Sequence, residues 1–218
     1  MPFISLVSVV LFFMAVYLMN KMFFGFKPGS KRVNSDISRF REQANAWKPE
    51  LVPWNNEEIE LFSLVQTNQI SKRGFGKSFE GIIQSIYYEP MLYYYYKEYP
   101  AAKKNAIIFT KTANFEIVYR IRAKATQVFV NESYLGSISP EGILEHQQKR
   151  EVFGKINRGN PYRRPIQVGE KEMGSVVFPS EKTTVNPRVF DLEETMDERE
   201  QIIFMALGIF EIISYITQ

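Results

Sequence analysis

Four cations in the stretch "GKINRGNPYRR", residues 154–164, are the side chains best placed to do chemistry in this chain. They are Lys155, Arg158, Arg163 and Arg164. Guanidinium groups bind phosphate oxygens well, and the glycines and asparagines between the cations can turn backbone N–H groups toward the same ligand. The stretch therefore predicts a loop that binds anionic phospholipid headgroups. An ordinary solvated loop remains the alternative.

Catalytic chemistry has little support in the sequence. The chain has no cysteine and a single histidine, His146, which excludes thiolate nucleophiles and cysteine-bound metals and leaves little room for a histidine relay. The stretch "GFGKS", residues 74–78, lacks the first glycine of a phosphate-binding loop, because Ser71 stands at that position. We expect no enzymatic activity, no cofactor and no metal site. A carboxylate-dependent enzyme is the weaker alternative.

A second group of cations lies between residues 20 and 48, where basic side chains outnumber acidic ones. It includes Lys27, Lys31, Arg32, Arg39 and Arg41. From residue 49 onward, acidic and basic side chains are nearly equal in number. Basicity confined to one segment suits an anionic lipid surface better than nucleic acid, so we expect no nucleic-acid partner.

The segment 27–57 is predicted to be a basic linker that contains one short helix. Its apolar side chains recur at helical spacing and are Ile37, Phe40, Ala44 and Trp47. Such a helix either lies on the lipid surface, with its arginines toward the headgroups, or packs on the domain that follows. The sequence leaves both arrangements open.

The N-terminal segment, residues 1–26, is predicted to be a single transmembrane anchor. Residues 3–19 carry no charge, and about seventeen apolar residues is the short end of a membrane span. A cleaved signal peptide is the alternative, but no basic residue precedes the apolar run and no small-residue cleavage site follows it. The cations on the C-terminal flank predict that the N-terminus lies outside and the main domain lies in the cytoplasm.

Residues 58–218 are predicted to be one domain of mainly β structure. The stretch "ANFEIVYRIR", residues 113–122, alternates apolar and polar side chains, and roughly eleven runs of this kind follow one another. So many strands favour closure into a barrel or a sandwich, which removes exposed edges. Several tyrosines between residues 87 and 99 suit either a ligand-stacking belt or ordinary strands, and we favour the structural role.

The C-terminal stretch "IIFMALGIFEIISYIT", residues 202–217, is apolar around the whole circumference of a helix. It is short for a membrane span, and Glu211 would be costly in lipid. A helix that is apolar on all sides must be surrounded by apolar material. We therefore predict a closed antiparallel barrel of about 11–12 strands around this helix.

A closed antiparallel barrel around an apolar C-terminal helix resembles the tubby-like group, which includes the phospholipid scramblase and LURP-one-related families. The resemblance covers about residues 58–218. It rests on the strand number, the terminal helix and two similar hairpins, "VNESYLGSI" at 130–138 and "VGEKEMGSV" at 168–176. The chain lacks the cysteine-rich stretch, the proline-rich tail and a matching calcium-binding loop of scramblases, so calcium-dependent activity is not implied. The resemblance implies a lipid-facing binding module.

Together these features predict a membrane-anchored, non-catalytic barrel that binds anionic phospholipid or acts at the membrane surface. A docking platform for another membrane protein is the alternative, because an anchored domain has a high local concentration near other membrane proteins.

Overall fold

The computed structural model describes residues 9–19, 29–74, 76–101, 104–146, 151–179 and 187–217. Its helices are α1 (9–19), α2 (Ser30–Trp47), α3 (Asn56–Glu60) and α4 (Glu198–Ile216). The first six strands are β1 (Phe62–Gly74), β2 (Gly76–Ser85), β3 (Pro90–Glu98), β4 (Ala106–Lys111), β5 (Glu116–Ile121) and β6 (Thr126–Val130). The other six are β7 (Ser133–Ile138), β8 (Ile143–His146), β9 (Glu151–Ile156), β10 (Arg163–Val168), β11 (Lys171–Val177) and β12 (Phe190–Leu192).

The predicted barrel is confirmed as a nearly closed antiparallel sheet of twelve strands. Each strand pairs with the next one in the chain, so the sheet is a continuous meander from β1 to β12. The two edges meet where Ser63 bridges Arg188 and where the Val189 N–H donates to the Phe62 carbonyl at 2.8 Å. Antiparallel neighbours need only short turns, which the sequence supplies between its apolar runs.

The predicted internal helix is also confirmed, because α4 fills the barrel. Asp197 and Glu200 form a reciprocal capping box at its start, which satisfies backbone N–H groups that the helix leaves free. Apolar side chains from all sides of α4 belong to the same buried cluster as the inward side chains of the strands. Tyr119 of β5 donates its hydroxyl to the Ala206 carbonyl at 2.8 Å, so its one polar group is paired in the core.

Two glycines let α4 approach the sheet closely. A Cβ atom at Gly208 would lie 2.5 Å from the Phe190 ring of β12. A Cβ atom at Gly154 of β9 would lie 3.0 Å from Ile203 and 2.7 Å from the Gln167 carbonyl. A larger residue at either position would have to displace a neighbour in a packed core.

The predicted N-terminal transmembrane helix is wrong. Among the helices that the structure describes, none is both long and apolar enough to cross a membrane. The structure describes residues 9–19 of the predicted anchor, as α1. The remainder of the predicted anchor, residues 1–8 and 20–26, lies outside the described residues.

Helix α2 packs on the outside of the barrel, which decides between the two arrangements that the sequence left open. Phe40 is fully buried, and its ring stacks on Tyr95 of β3 with centroids 3.9 Å apart. Asp36 accepts hydrogen bonds from Lys97 Nζ at 2.7 Å and from the Tyr99 hydroxyl at 2.6 Å. Burial alone would raise the pKa of Asp36, but these bonds and the nearby cations outweigh it and lower the pKa.

Most of the tyrosines between residues 87 and 99 are buried, either inside the barrel or beneath α2. Tyr94 and Tyr96 of β3 point into the barrel, whereas Tyr93 and Tyr99 are buried beneath α2. Both faces of this strand therefore carry large rings in packed surroundings, as the structural interpretation predicted. Tyr87, in the turn between β2 and β3, is exposed.

Candidate functional site: the basic end of the barrel

The turns of the barrel separate the charges of the chain into two ends. In an antiparallel meander every second turn lies at the same end, and the turns that follow β1, β3, β5, β7 and β9 lie near the C-terminal end of α4. We call this the basic end. The exposed cations in or beside its turns include Lys72, Lys77, Lys104, Arg122, Lys124 and Arg163.

Among the described residues, the opposite end, where α4 begins, carries more carboxylates than cations, and we call it the acidic end. Its exposed acids include Glu57, Glu89, Glu132, Glu170, Glu194, Asp197 and Glu198. The nearly equal numbers of acids and bases from residue 49 onward hide this separation. The separation of charge can be found in the sequence by adding the charges of every second turn. This requires knowing that each strand pairs with the next one in the chain.

Arg158 and Arg164, two cations of the predicted phosphate loop, converge on Glu211 of α4. Arg158 donates to Glu211 Oε1 through Nε at 2.9 Å and through a second nitrogen, and its Nη1 donates to the Pro140 carbonyl at 2.6 Å. Arg164 Nη1 lies 2.5 Å from Glu211 Oε2. Two guanidinium groups thus hold the Glu211 carboxylate, and this side chain is only 3% exposed. A buried carboxylate needs such partners, because its charge is costly to remove from water.

Aromatic side chains complete this cluster. The Arg164 guanidinium lies over the Phe178 ring, with its carbon 4.7 Å from the ring centre, and Tyr215 packs against the same ring. The carbonyl groups at the C-terminal end of α4 add partial negative charge that favours the two arginines. This arrangement fixes the end of α4 relative to β9 and β10.

The other two predicted site residues are placed differently. Arg163 donates to Asp191 at 2.5 Å and to Glu193 at 3.1 Å, and these contacts lie on the outside of the sheet. Lys155 is exposed on β9 and has no carboxylate partner within the described ranges. Three of the four cations are therefore used in contacts within the chain, and phosphate binding by this loop stays a prediction.

The exposed cations that the sequence analysis did not single out have no such partners among the described residues. Lys72 and Lys77 lie near the tip of the β1–β2 hairpin, where Ile70 is also 51% exposed. Arg122 and Lys124 lie in the turn between β5 and β6. Within the part of the chain that the structure describes, no carboxylate forms an ion pair with any of these four cations.

The cations of the predicted linker lie at different places along α2. The helix begins at the basic end, since Asp36 contacts the end of β3, and it carries Lys31 and Arg32 there. Farther along the chain, Arg41 makes a bidentate contact with Glu116 at 2.6 and 2.8 Å.

The other two predicted linker cations are Arg39 and Lys27. Arg39 pairs with Asp36 at 3.4 Å and is mostly exposed. Lys27 lies outside the described residues.

Few acids of the described residues lie at the basic end. Glu98 and Glu141 belong to its turns, and Glu211 is covered by the two arginines. A hydrogen bond from the Ser139 hydroxyl, followed by one from its own backbone, lowers the pKa of Glu141, so this side chain is ionised near neutral pH.

The surface offers cationic donors rather than a metal-binding set. No group of three or more histidine, aspartate or glutamate side chains within the described ranges could hold a metal ion. No protein-family model matches this chain, and neither a curated protein nor a solved structure is significantly similar to it.

Proposed function

We propose that this chain is a non-catalytic binding module whose basic end docks on an anionic phospholipid surface. The observation that carries the proposal is the separation of charge between the two ends of the barrel. Cations that face an anionic leaflet contribute about 1 kcal/mol each when they lie within a Debye length of it. The acids at the opposite end would be repelled, so one orientation of the barrel is favoured.

The exposed cations suit a surface rather than one small ligand. They lie on separate hairpins, with Lys72 and Lys77 on one and Arg122 and Lys124 on another. A planar array of phosphates can contact all of them at once. Ile70 adds an exposed apolar side chain beside the cations, which favours the boundary between headgroups and acyl chains.

Helix α1 supports the same function. Its large apolar side chains are between 39% and 66% exposed, with Phe12 and Phe13 at the upper value. Contiguous exposed apolar surface marks contact with lipid or with a partner. The chain continues from α1 to Gly29, which precedes α2 at the basic end. We propose that α1 adds apolar contact at the lipid surface and that the barrel is located at that surface.

The tubby-like resemblance remains part of this proposal. A barrel with an internal apolar helix agrees with the fold that the resemblance implies, but this fold alone does not identify the group. A lipid-facing module is nevertheless the function that both the resemblance and the distribution of charge support.

Binding of the full chain to vesicles tests the proposal. The informative variant replaces Lys72, Lys77 and Lys124 by glutamine, and its matched control replaces Glu89, Glu170 and Glu194 by glutamine at the acidic end. Three lost cations at about 1 kcal/mol each predict roughly 100-fold weaker binding to phosphatidylserine vesicles at low salt. The control should bind at least as well as the unmodified chain. Equal loss in both variants, or equal binding to phosphatidylcholine vesicles, would overturn the proposal.

A further inference from the structure

A cavity of about 540 Å³ opens at the acidic end, between the β6–β7 hairpin and the first turns of α4. Its walls are apolar and include Val130, Leu135, Ile202 and Ile203. Ile203 is buried, whereas the other three side chains are half-buried and face the opening. The cavity therefore offers apolar contact area that the fold itself does not cover.

The position of α4 explains why the cavity exists. The helix backbone lies closest to β9, β10 and β11, so a wider gap, which side chains must fill, separates it from the strands on the opposite side. Midway along the barrel, Tyr119 and Phe210 fill this gap with rings whose centroids are 5.4 Å apart. At the level of Ile202 the space between the helix and the β6–β7 hairpin stays open as the cavity, and Tyr134 of the hairpin is part of its lining.

The rim of the cavity is acidic. Asp197 and Glu198 line it, and the capping box holds the Asp197 carboxylate in place. Among the described residues that line the cavity the cation is Arg199, which is turned toward Glu151 at 3.4 Å and lies over the Phe153 ring. The carboxylate of Glu198 has no cationic partner among the described side chains. An incoming ligand therefore meets net negative charge around an apolar floor.

We propose that this cavity docks a partner polypeptide that presents one or two apolar side chains flanked by lysine or arginine. The volume accommodates side chains of leucine or phenylalanine size, and the rim is complementary to flanking cations. Anionic lipids and fatty acids fit this site less well, because the carboxylates of the rim would repel their negative charge. The cavity lies at the opposite end of the barrel from the basic end, so a partner bound here would leave that surface open.

The probe for this site is a fluorescein-labelled peptide in which leucine and phenylalanine are flanked by two lysines on each side. Its binding to the full chain is measured by fluorescence anisotropy. We expect saturable binding that weakens with salt, at least tenfold loss in the cavity-filling variant Ile202→Trp, and two- to fivefold loss in Glu198→Gln. A matched peptide with glutamates in place of the lysines should not bind.

Gln167→Trp is the control for the added indole, because Gln167 is exposed on the outside of β10. It should bind the peptide like the unmodified chain. Ser133→Trp at the exposed rim replaces Ile202→Trp if the latter fails to fold, as thermal unfolding will show. Unchanged binding in a folded cavity-filling variant, or equal binding of the glutamate peptide, would overturn the proposal. Both outcomes are independent of vesicle binding, so failure here leaves the function of the basic end untouched.

Discussion

Replacing Glu211 by leucine should destabilise the barrel, although the sequence alone predicts that this change costs little or even stabilises. An apolar residue suits the apolar helix, but the structure shows that Glu211 neutralises Arg158 and Arg164. Removing one partner of a buried ion pair costs about 3–5 kcal/mol, because the remaining charge is left without a partner. The two guanidinium groups remain partly exposed, so we expect a smaller cost of about 2–3 kcal/mol, at or below the lower limit of this range.

The loss is measured by thermal unfolding followed by circular dichroism. For a domain of this size about 2–3 kcal/mol corresponds to a fall in Tm of roughly 5–10 °C. Gln201→Leu is the matched control, since Gln201 is a buried polar residue of the same helix whose side chain makes no hydrogen bond with the described residues.

Adding Arg158→Met and Arg164→Met to Glu211→Leu should restore much of the stability, because an apolar set can replace a buried ionic one. A Tm for Glu211→Leu equal to or above that of the unmodified chain would refute this reasoning.

Three further changes test the packing and the charge network. Gly208→Leu should destabilise by at least 1–3 kcal/mol, measured by thermal unfolding, because its side chain would collide with Phe190. Deletion of residues 202–218 should abolish folding, seen as loss of the cooperative transition, because several buried side chains at roughly 2–5 kcal/mol each exceed the stability of a typical domain. Asp36 has a lowered pKa in the folded state, so it contributes stability above about pH 4 that is lost as the pH falls through the folded pKa. The Tm of Asp36→Asn should therefore fall less at acid pH than the Tm of the unmodified chain. An equal fall in both would contradict the hydrogen bond between Asp36 and Tyr99.

The triple change of Arg158, Arg163 and Arg164 to alanine illustrates how the structure alters an expectation from the sequence. As exposed loop cations, these residues should be removable without effect on folding. As partners of Glu211, two of them stabilise the barrel, so loss of lipid binding in this variant would not separate a binding defect from a folding defect. The lysines of the other basic turns are the cleaner test, since they have no partners among the described residues.

The internal helix was predictable because its signal is local. A stretch that is apolar on every side, begins with acids and is too short to span a membrane has few places to lie other than a core. The alternation of "ANFEIVYRIR" likewise predicted β5, but Glu116 of its polar face is 4% exposed. Arg41 of α2 covers that carboxylate, and no property of the strand itself reveals the helix above it.

Strand boundaries were less predictable at β1. The stretch "EIELFSLV" looks like one strand, yet its first residues belong to α3, because Asn55 accepts hydrogen bonds from the backbone of Glu57 and Glu58 and starts a helical turn. The strand then continues through polar residues to Gly74, where pairing with β2 rather than burial maintains it. Apolar periodicity detects burial, so it misses a hairpin that extends into solvent.

The central claim, that the basic end faces anionic lipid, can be tested directly because the chain contains no cysteine. Single cysteines introduced by Ala123→Cys at the basic end and by Thr195→Cys at the acidic end lie at exposed positions and can carry the same fluorophore. Quenching is then measured on phosphatidylserine vesicles whose headgroup region carries a lipid-attached quencher. The account predicts strong quenching of the label at residue 123 and little at residue 195, with the difference abolished by high salt. Equal quenching of the two labels, or stronger quenching at residue 195, would contradict it.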